Sequence, residues 1–487
     1  MKEKYDAVIL GGGIGGLSAA ALLSHGGMKI LLLERNEFLG GRCSSYEKEG
    51  FVIDGFIHMF GRCEKGPYGE VMKRTGSEGE IRFWHPTREN PFVLFKDGRK
   101  FLSPMTSALT REEIEQIYRD AFGATDADIA SLRKMDETIG QMKYADTFEL
   151  DDTPMSTFLK RFPMNRELVA FINQQVICLA VANLKEASAG ELIRMLAFCQ
   201  KEDNVGYPLG GCRAIPEGMA RIARKHGAEI RTGARVEKIE ITKNRVTGVT
   251  LKDGSTVSAP LFISNIGVKE TVLNFIDPSA VDSSYRDHVE NLSCGKLAGV
   301  GLMAIHLALD KPFIPDSVAF SFPKDPDISS LARMLMEFMF QDQIPPTTDP
   351  INLSLLPVVS NMDPSLAPKG KQLVHLPGMA PLESTHWKDW VAYHVDYLET
   401  IYPGLKSHIL WYDFGTTSMI NHHSGRLQPD IIGLAQIIGQ VGKNRPPLKS
   451  PYENLYFVGS DTGSDNIGTE LAAESALRLA DLILKKH

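Results

Sequence analysis

The chain has 487 residues with 60 Asp and Glu against 53 Lys and Arg, a net charge of −7. That balance excludes a general nucleic-acid binder, which needs a basic footprint, and a hydrophobic share of 43% excludes wholesale disorder. Six cysteines are too few for a disulfide scaffold in so long a chain and show no zinc spacing, so no metal site is expected. No stretch approaches the roughly 20 apolar residues of a membrane span, and the charged start lacks the apolar core of a secretory signal. The expectation is a cytoplasmic protein without an integral membrane segment, with peripheral membrane contact left open.

Taken in chain order, Ala7 to Leu10 predicts a buried strand of a parallel sheet. Gly11, Gly13 and Gly16 then satisfy G-x-G-x-x-G, Leu17 to Ser24 predicts a small-residue helix, and Lys29 to Leu33 predicts a second strand closing at Glu34. The three glycines have separate tasks: a tight turn, backbone approach to a pyrophosphate, and close helix–strand contact. The helix start directs N–H groups at phosphate, which makes Gly11, Gly13, Ile14, Gly15 and Gly16 candidate contacts. Glu34, 18 residues beyond Gly16, is placed to accept a hydrogen bond from a ribose hydroxyl. Strand, turn, helix, strand and acid in that order predict a bound dinucleotide. Arg35 alone suggests a 2′-phosphate, which Glu34 would repel. Gly40-Gly41-Arg42 adds a second backbone approach with a fixed cation, so Arg35, Gly41 and Arg42 join the candidate contacts.

Residues 68–204 read as mainly helical, with candidate helices at Arg111 to Phe122, Ser156 to Phe162 and Leu168 to Leu184. A helix near Ile215 to His226 and strands at Ala234 to Ile239, Arg245 to Leu251 and Leu261 to Ser264 follow. Beyond Gly267 come a strand at Leu297 to Leu309 and a methionine-bearing helix at Ile328 to Phe340. Such a helix is either core or the wall of an adaptable apolar cavity. The end of the chain reads as a strand (Asn454 to Val458), a polar glycine loop and a helix from Thr469 to Leu484.

The Gly-Gly-Arg turn after Glu34, the stretch Pro208-Leu209-Gly210-Gly211 before a helix and a valine strand, and Val458-Gly459-Ser460-Asp461 point one way. Together they resemble the phytoene desaturase-like branch of the flavin monoamine oxidase superfamily. The resemblance implies an α/β protein: a Rossmann-type, glutathione reductase-like FAD-binding domain with an interleaved α+β substrate domain. The FAD-binding domain would comprise residues 1–67, 205–266 and 431–487, and the substrate domain residues 68–204 and 267–430. The cofactor implied is FAD rather than NAD. It would be non-covalent, because the carboxyl-terminal segment carries no cysteine for a thioether link. Val236 would meet the adenine side and Asp461 the ribityl or pyrophosphate portion. Thr469 would present its N–H to the flavin N1–C2=O2 edge, with Ser460, Ile467 and Gly468 alongside. Where carotenoid desaturases continue with His-Pro-Gly and Val-Pro-Gly, this chain departs, running from Ser464 to Glu470 without either.

The implied activity is desaturation or saturation of a C–C bond of a hydrophobic small molecule by hydride transfer at flavin N5. The alternatives are an amine oxidase with an aromatic cage drawn from Tyr207, Trp411, Tyr412 and Phe414, a redox-neutral isomerase, and a non-catalytic lipid-binding relative. Removal of a second proton calls for a base, and His58, His422, His423 and Glu470 are the candidates. No second G-x-G-x-x-G supplies a pyridine-nucleotide site, so the electron acceptor stays open. No Gly-x-Ser-x-Gly points to a hydrolase.

Overall fold

A computed structural model describes residues 4–56, 59–106, 109–202, 204–295, 300–322, 336–346, 355–428, 430–463 and 466–485. Its centre is a five-stranded, all-parallel sheet. Across the sheet the order is Leu455–Phe457, Leu261–Ser264, Ala7–Leu10, Ile30–Leu33 and Glu229–Arg231. Strands from the beginning, middle and end of the chain thus lie side by side. Both faces are covered, which is why Ala7 to Leu10 is an unbroken apolar run.

The alternation of the strand sorts its side chains. Ala7 and Ile9 face the helix Ile14–His25, while Val8 and Leu10 face an antiparallel meander of Val236–Thr242, Arg245–Leu251 and Thr256–Val257. The helix Ile14–His25 is buried along nearly its whole length, between the helices Ala214–Lys225 and Gly468–Leu484. Ala19, Ala20 and Ala21 let those neighbours approach closely, each with no exposed surface. This helix begins three residues before the Leu17 expected from sequence, because Gly15 and Gly16 already belong to its first turn.

The remaining chain builds two further sheets and a helical cluster. Gln372–Pro381, Val300–Leu309 and Ile409–Thr416 form an antiparallel sheet in that order, backed by the helix Trp387–Ile401. Leu355–Pro357, Val318–Ser321, Phe92–Lys96 and Arg99–Leu102 form the other, in which Phe92–Lys96 runs parallel to Val318–Ser321. Residues 68–204 are therefore not helical throughout. Phe92–Lys96 and Arg99–Leu102 pair with each other as a hairpin across Asp97-Gly98, a local turn signal that the sequence reading missed, and Val318–Ser321 extends the sheet from far along the chain.

Helices Met155–Leu159, Arg166–Ala180 and Ala189–Glu202 supply the apolar cluster of the first of these segments. Arg111–Phe122 forms as expected. Thr110 and Glu113 close a capping box at its start, and Gly123 ends it in the left-handed region. The helix Asp126–Gln141 was missed, although Thr125 and Asp128 cap it in the same way. Of the expected strand from Leu297, residues 297–299 lie outside the described residues. The same holds for most of the Ile328 to Phe340 segment, of which 336–340 is helical. Among the described residues no helix is long and apolar enough to cross a membrane.

Candidate active site

One elongated cavity of about 540 Å³ runs from the carboxyl edge of the parallel sheet into the space between the other sheets and helices. At the sheet end it is walled by Gly11, Gly13, Ile14 and Gly15, by Glu34 and Arg35, by Gly41 and Arg42, and by Val236. Ser460, Asp461, Ile467, Gly468, Thr469 and Glu470 close it from the carboxyl-terminal side. Fourteen of the fifteen residues expected to contact a cofactor are gathered on this wall, drawn from three distant segments. Gly16 is the exception, and its task is packing. A Cβ there would stand 2.2 Å from the Gly11 carbonyl oxygen, so only glycine lets the helix sit so close to its strand.

Two helices start at this wall without a side-chain cap, Ile14–His25 after Gly13 and Gly468–Leu484 after Ile467. Their first N–H groups and the positive ends of their dipoles therefore face the cavity. Gly40, with φ +103°, donates its N–H to the Gly12 carbonyl at 2.8 Å and folds the Gly-Gly-Arg turn over the first glycine loop. The Glu34 carboxylate is buried, accepting the Gly12 N–H at 2.7 Å and the Asn36 N–H at 2.8 Å. A carboxylate has lone pairs beyond those two bonds. Glycine clearance, two uncapped helix starts and Arg42 fit a dinucleotide diphosphate.

Three features of this wall were not read from sequence. Asn265, directly after the strand Leu261–Ser264, inserts its amide among the glycines. A Cβ on Gly13 or Gly15 would fall 2.7 or 2.6 Å from that side chain. Arg35 lines the cavity, and backbone carbonyls engage its guanidinium. Its guanidinium donates to the carbonyls of His422 (2.6 Å) and His423, and so fastens the end of the helix Thr417–Ser424. Arg426 lines the cavity with its side chain packed against three carboxylates. It bonds Glu270 at 2.9 Å and Asp461 at 2.9 and 3.1 Å, and it pairs with Asp430, which also pairs with Arg42. Burial works against charge in this cluster. Even so, Arg426 and the Val268 N–H hold the Asp461 carboxyl below the usual range, whereas burial and the nearby Asp461 raise that of Glu270. No local signal marks Arg426 in the sequence, since its partners are assembled by the fold.

The far end of the cavity is apolar. Met59, Met105, Met195, Met303 and Met379 line it from five separate places in the chain, together with Phe56, Phe60, Phe92 and Phe320. Methionines at that spread adapt a wall to a ligand's shape. Cys178 also lines it, and desolvation pushes its thiol up to about 12, so it stays protonated.

The acid–base candidates separate clearly. Glu470 lines the cavity, and its Oε1 accepts the Arg62 N–H at 2.8 Å. His422 and His423 are exposed and outside the lining. His58 lies outside the described residues. Nor do Tyr207, Trp411, Tyr412 and Phe414 line the cavity. Tyr207 is buried with its hydroxyl on Asp54, and Trp411 packs edge-on to Phe51.

A parallel sheet that presents two helix starts and a glycine loop to one cavity, with an apolar chamber beyond, defines a dinucleotide-dependent oxidoreductase fold. Comparison with known proteins agrees. A family model described as flavin containing amine oxidoreductase matches residues 14–484. The chain is 25% identical to the 4,4'-diaponeurosporene oxygenase of Staphylococcus haemolyticus, over 98% of this chain and 96% of that one. It is 24% identical to the chloroplastic prolycopene isomerase of Daucus carota, over 85% of this chain and 69% of that one. Among solved structures, an oxidoreductase from Methanosarcina mazei superposes with a TM-score of 0.72 at 19% identity, covering 98% and 99% of the two chains. Putrescine oxidase bound to putrescine superposes at 0.69 and 14% identity, covering 99% of each. The chain belongs to the flavin containing amine oxidoreductase family. It is an FAD-dependent oxidoreductase.

Proposed function

We propose that this enzyme acts on a carbon–carbon bond of an elongated, apolar, polyene-like substrate, desaturating or saturating it by hydride transfer at flavin N5. The supporting observation is the chamber itself. Among the described residues its apolar end carries methionine and phenylalanine side chains and no carboxylate beyond Glu470 at the junction. An amine substrate would call for a polar group to meet its charge, and the four aromatic residues named for a cage (Tyr207, Trp411, Tyr412 and Phe414) lie outside the lining. The names of the two relatives compared above, both of polyene metabolism, support the same substrate class.

In this reading Glu34 and Val236 would hold the adenosine, and Gly13–Gly15, Arg42 and Ser460 the diphosphate. Ile467–Thr469 would hold the isoalloxazine ring. When bound, FAD supplies the hydride acceptor or donor. The chain's own contribution is position, dryness and a proton site. The uncapped start of Gly468–Leu484 offers N–H groups to negative charge at the flavin N1 edge. Phe56, Phe60 and the methionines exclude water and align the substrate. Glu470, held at the junction by the Arg62 N–H, is the proton acceptor retained from the candidates, the only one of them that lines the cavity among the described residues.

The test is anaerobic bleaching of the flavin band. Polyenes and isoprenoids are expected either to bleach the oxidised flavin or, in the saturating direction, to re-oxidise chemically reduced flavin, and putrescine and other simple amines to do neither. Glu470→Gln keeps an acceptor for the Arg62 N–H but removes the base, so flavin reduction should slow by about 100-fold or more with flavin content unchanged. Bleaching and peroxide formation with amines alone would overturn the proposal.

A further inference from the structure

The cluster behind Arg426 has more acid than it can neutralise. Arg42 and Arg426 face Asp430, Asp461 and Glu270, and the Glu270 and Asp430 side chains have no exposed surface. Arg426 stands between these two acids and the cavity, which it lines together with Arg42 and Asp461. Among the described residues the neighbouring elements bring no further cation. Lys269 is turned away, its Nζ donating to the carbonyls of Glu290 and Leu292 at 2.7 Å. Cys294 is a thiol that burial and then Asp430 push up to about 11, so it stays neutral. The remaining polar neighbours are Ser460 and the N–H groups of Leu427, Val268, Leu434 and Gly433.

A dinucleotide diphosphate adds about two negative charges to this buried set, and buried charge without a counter-charge is expensive enough that a group neutralises instead. We propose that cofactor binding takes up one proton from solvent, which bonds to a Glu270 carboxylate oxygen and offsets part of the added charge, while Arg426 stays paired with Asp461 and Asp430 beside Arg42. Glu270 is the acid best suited to take it. Its carboxyl already sits above the usual range from burial and from Asp461, while Asp461 is held ionised by Arg426 and two backbone N–H groups. The arriving anion raises the proton affinity of Glu270 further. Binding is therefore favoured at low pH and weakens as pH rises through the shifted titration. The inference rests on the placement of FAD given under Proposed function.

The experiment is calorimetric titration of FAD into the full-length chain stripped of flavin, in buffers of different ionisation enthalpy and across pH. Expected are a buffer-dependent heat that reports uptake of up to one proton and a Kd that weakens by about tenfold per pH unit above the midpoint. Glu270→Gln should abolish both while still binding FAD. Should that variant not fold, infrared difference spectra of the wild type on FAD binding should show a protonated carboxyl appearing. One-to-one binding with buffer-independent heat and a flat pH profile overturns the inference alone. Absence of FAD binding overturns the placement as well.

Discussion

The two ends of the cavity recognise their ligands in different ways. The nucleotide end works through backbone: glycines where any Cβ would clash, two uncapped helix starts, and a small set of charged side chains fixed by hydrogen bonds. The apolar end works through flexible thioethers and phenyl rings with no polar register to satisfy. The first is built for one rigid, charged ligand and the second for shape. Substitutions at the nucleotide end should therefore act as switches, and those at the apolar end as adjustments.

The largest effect is expected at Gly16. With a Cβ position 2.2 Å from the Gly11 carbonyl, Gly16→Val must separate strand from helix. Flavin affinity should fall by at least about 100-fold, of the order set by losing two or more strong hydrogen bonds. The ratio of flavin to protein absorbance in the purified variant measures it, with circular dichroism to show folding. A fully yellow variant would break the contrast.

Acid should separate the two ends next. His306 and His394, in the sheet and helix of the apolar half, are both pushed down to about 4 by burial. The unfolded chain binds protons at these sites from about pH 6.5, so stability there falls as pH drops from about 6.5 towards 4 and then levels off. At the nucleotide end, Glu229 is held down to about 2 by the Tyr5 hydroxyl and Arg231. Its contribution is complete above the ordinary carboxylate range and is lost only as pH falls through 2. Trp387 and Trp390 lie on the helix that carries His394, so in a variant with Trp84→Phe and Trp411→Phe the emission reports that half. Tryptophan emission should therefore change at higher pH than flavin release. Coincident transitions, or flavin loss first, would erase the distinction.

The smallest effect belongs to the methionine wall. Met303→Leu conserves volume, and a stability change below about 1.5 kcal/mol is expected. Flavin content should be unchanged and KM for the apolar substrate altered by a few-fold. A loss of flavin in that variant would mean that the two ends are not separable.

The same contrast explains what the sequence could show. At the nucleotide end the physical demands are local: a turn, a close approach and a helix start each need a given residue at a given spacing. Gly11 to Gly16 and Glu34 could therefore be read from spacing, whereas Asp461 was read through the family resemblance. Asn265 and Arg426 serve the same wall, but their partners come from segments remote in sequence, and nothing adjacent in the chain announces them. The helical pattern likewise revealed Arg111–Phe122, whereas the hairpin of Phe92–Lys96 and Arg99–Leu102 was overlooked although Asp97-Gly98 marks its turn. The apolar lining is assembled from single side chains on many elements, each indistinguishable in the sequence from ordinary core.

The parallel sheet has a temporal consequence. Ala7–Leu10 is paired on one side with Leu261–Ser264, which in turn pairs with Leu455–Phe457 near the end of the chain. During synthesis at about 5–20 residues per second, the first strand waits on the order of 10–50 s for that neighbour, with an apolar run and open edges exposed. The amino-terminal portion cannot mature first and wait for the rest. Completion of the nucleotide sheet therefore waits until Leu455–Phe457 has been made.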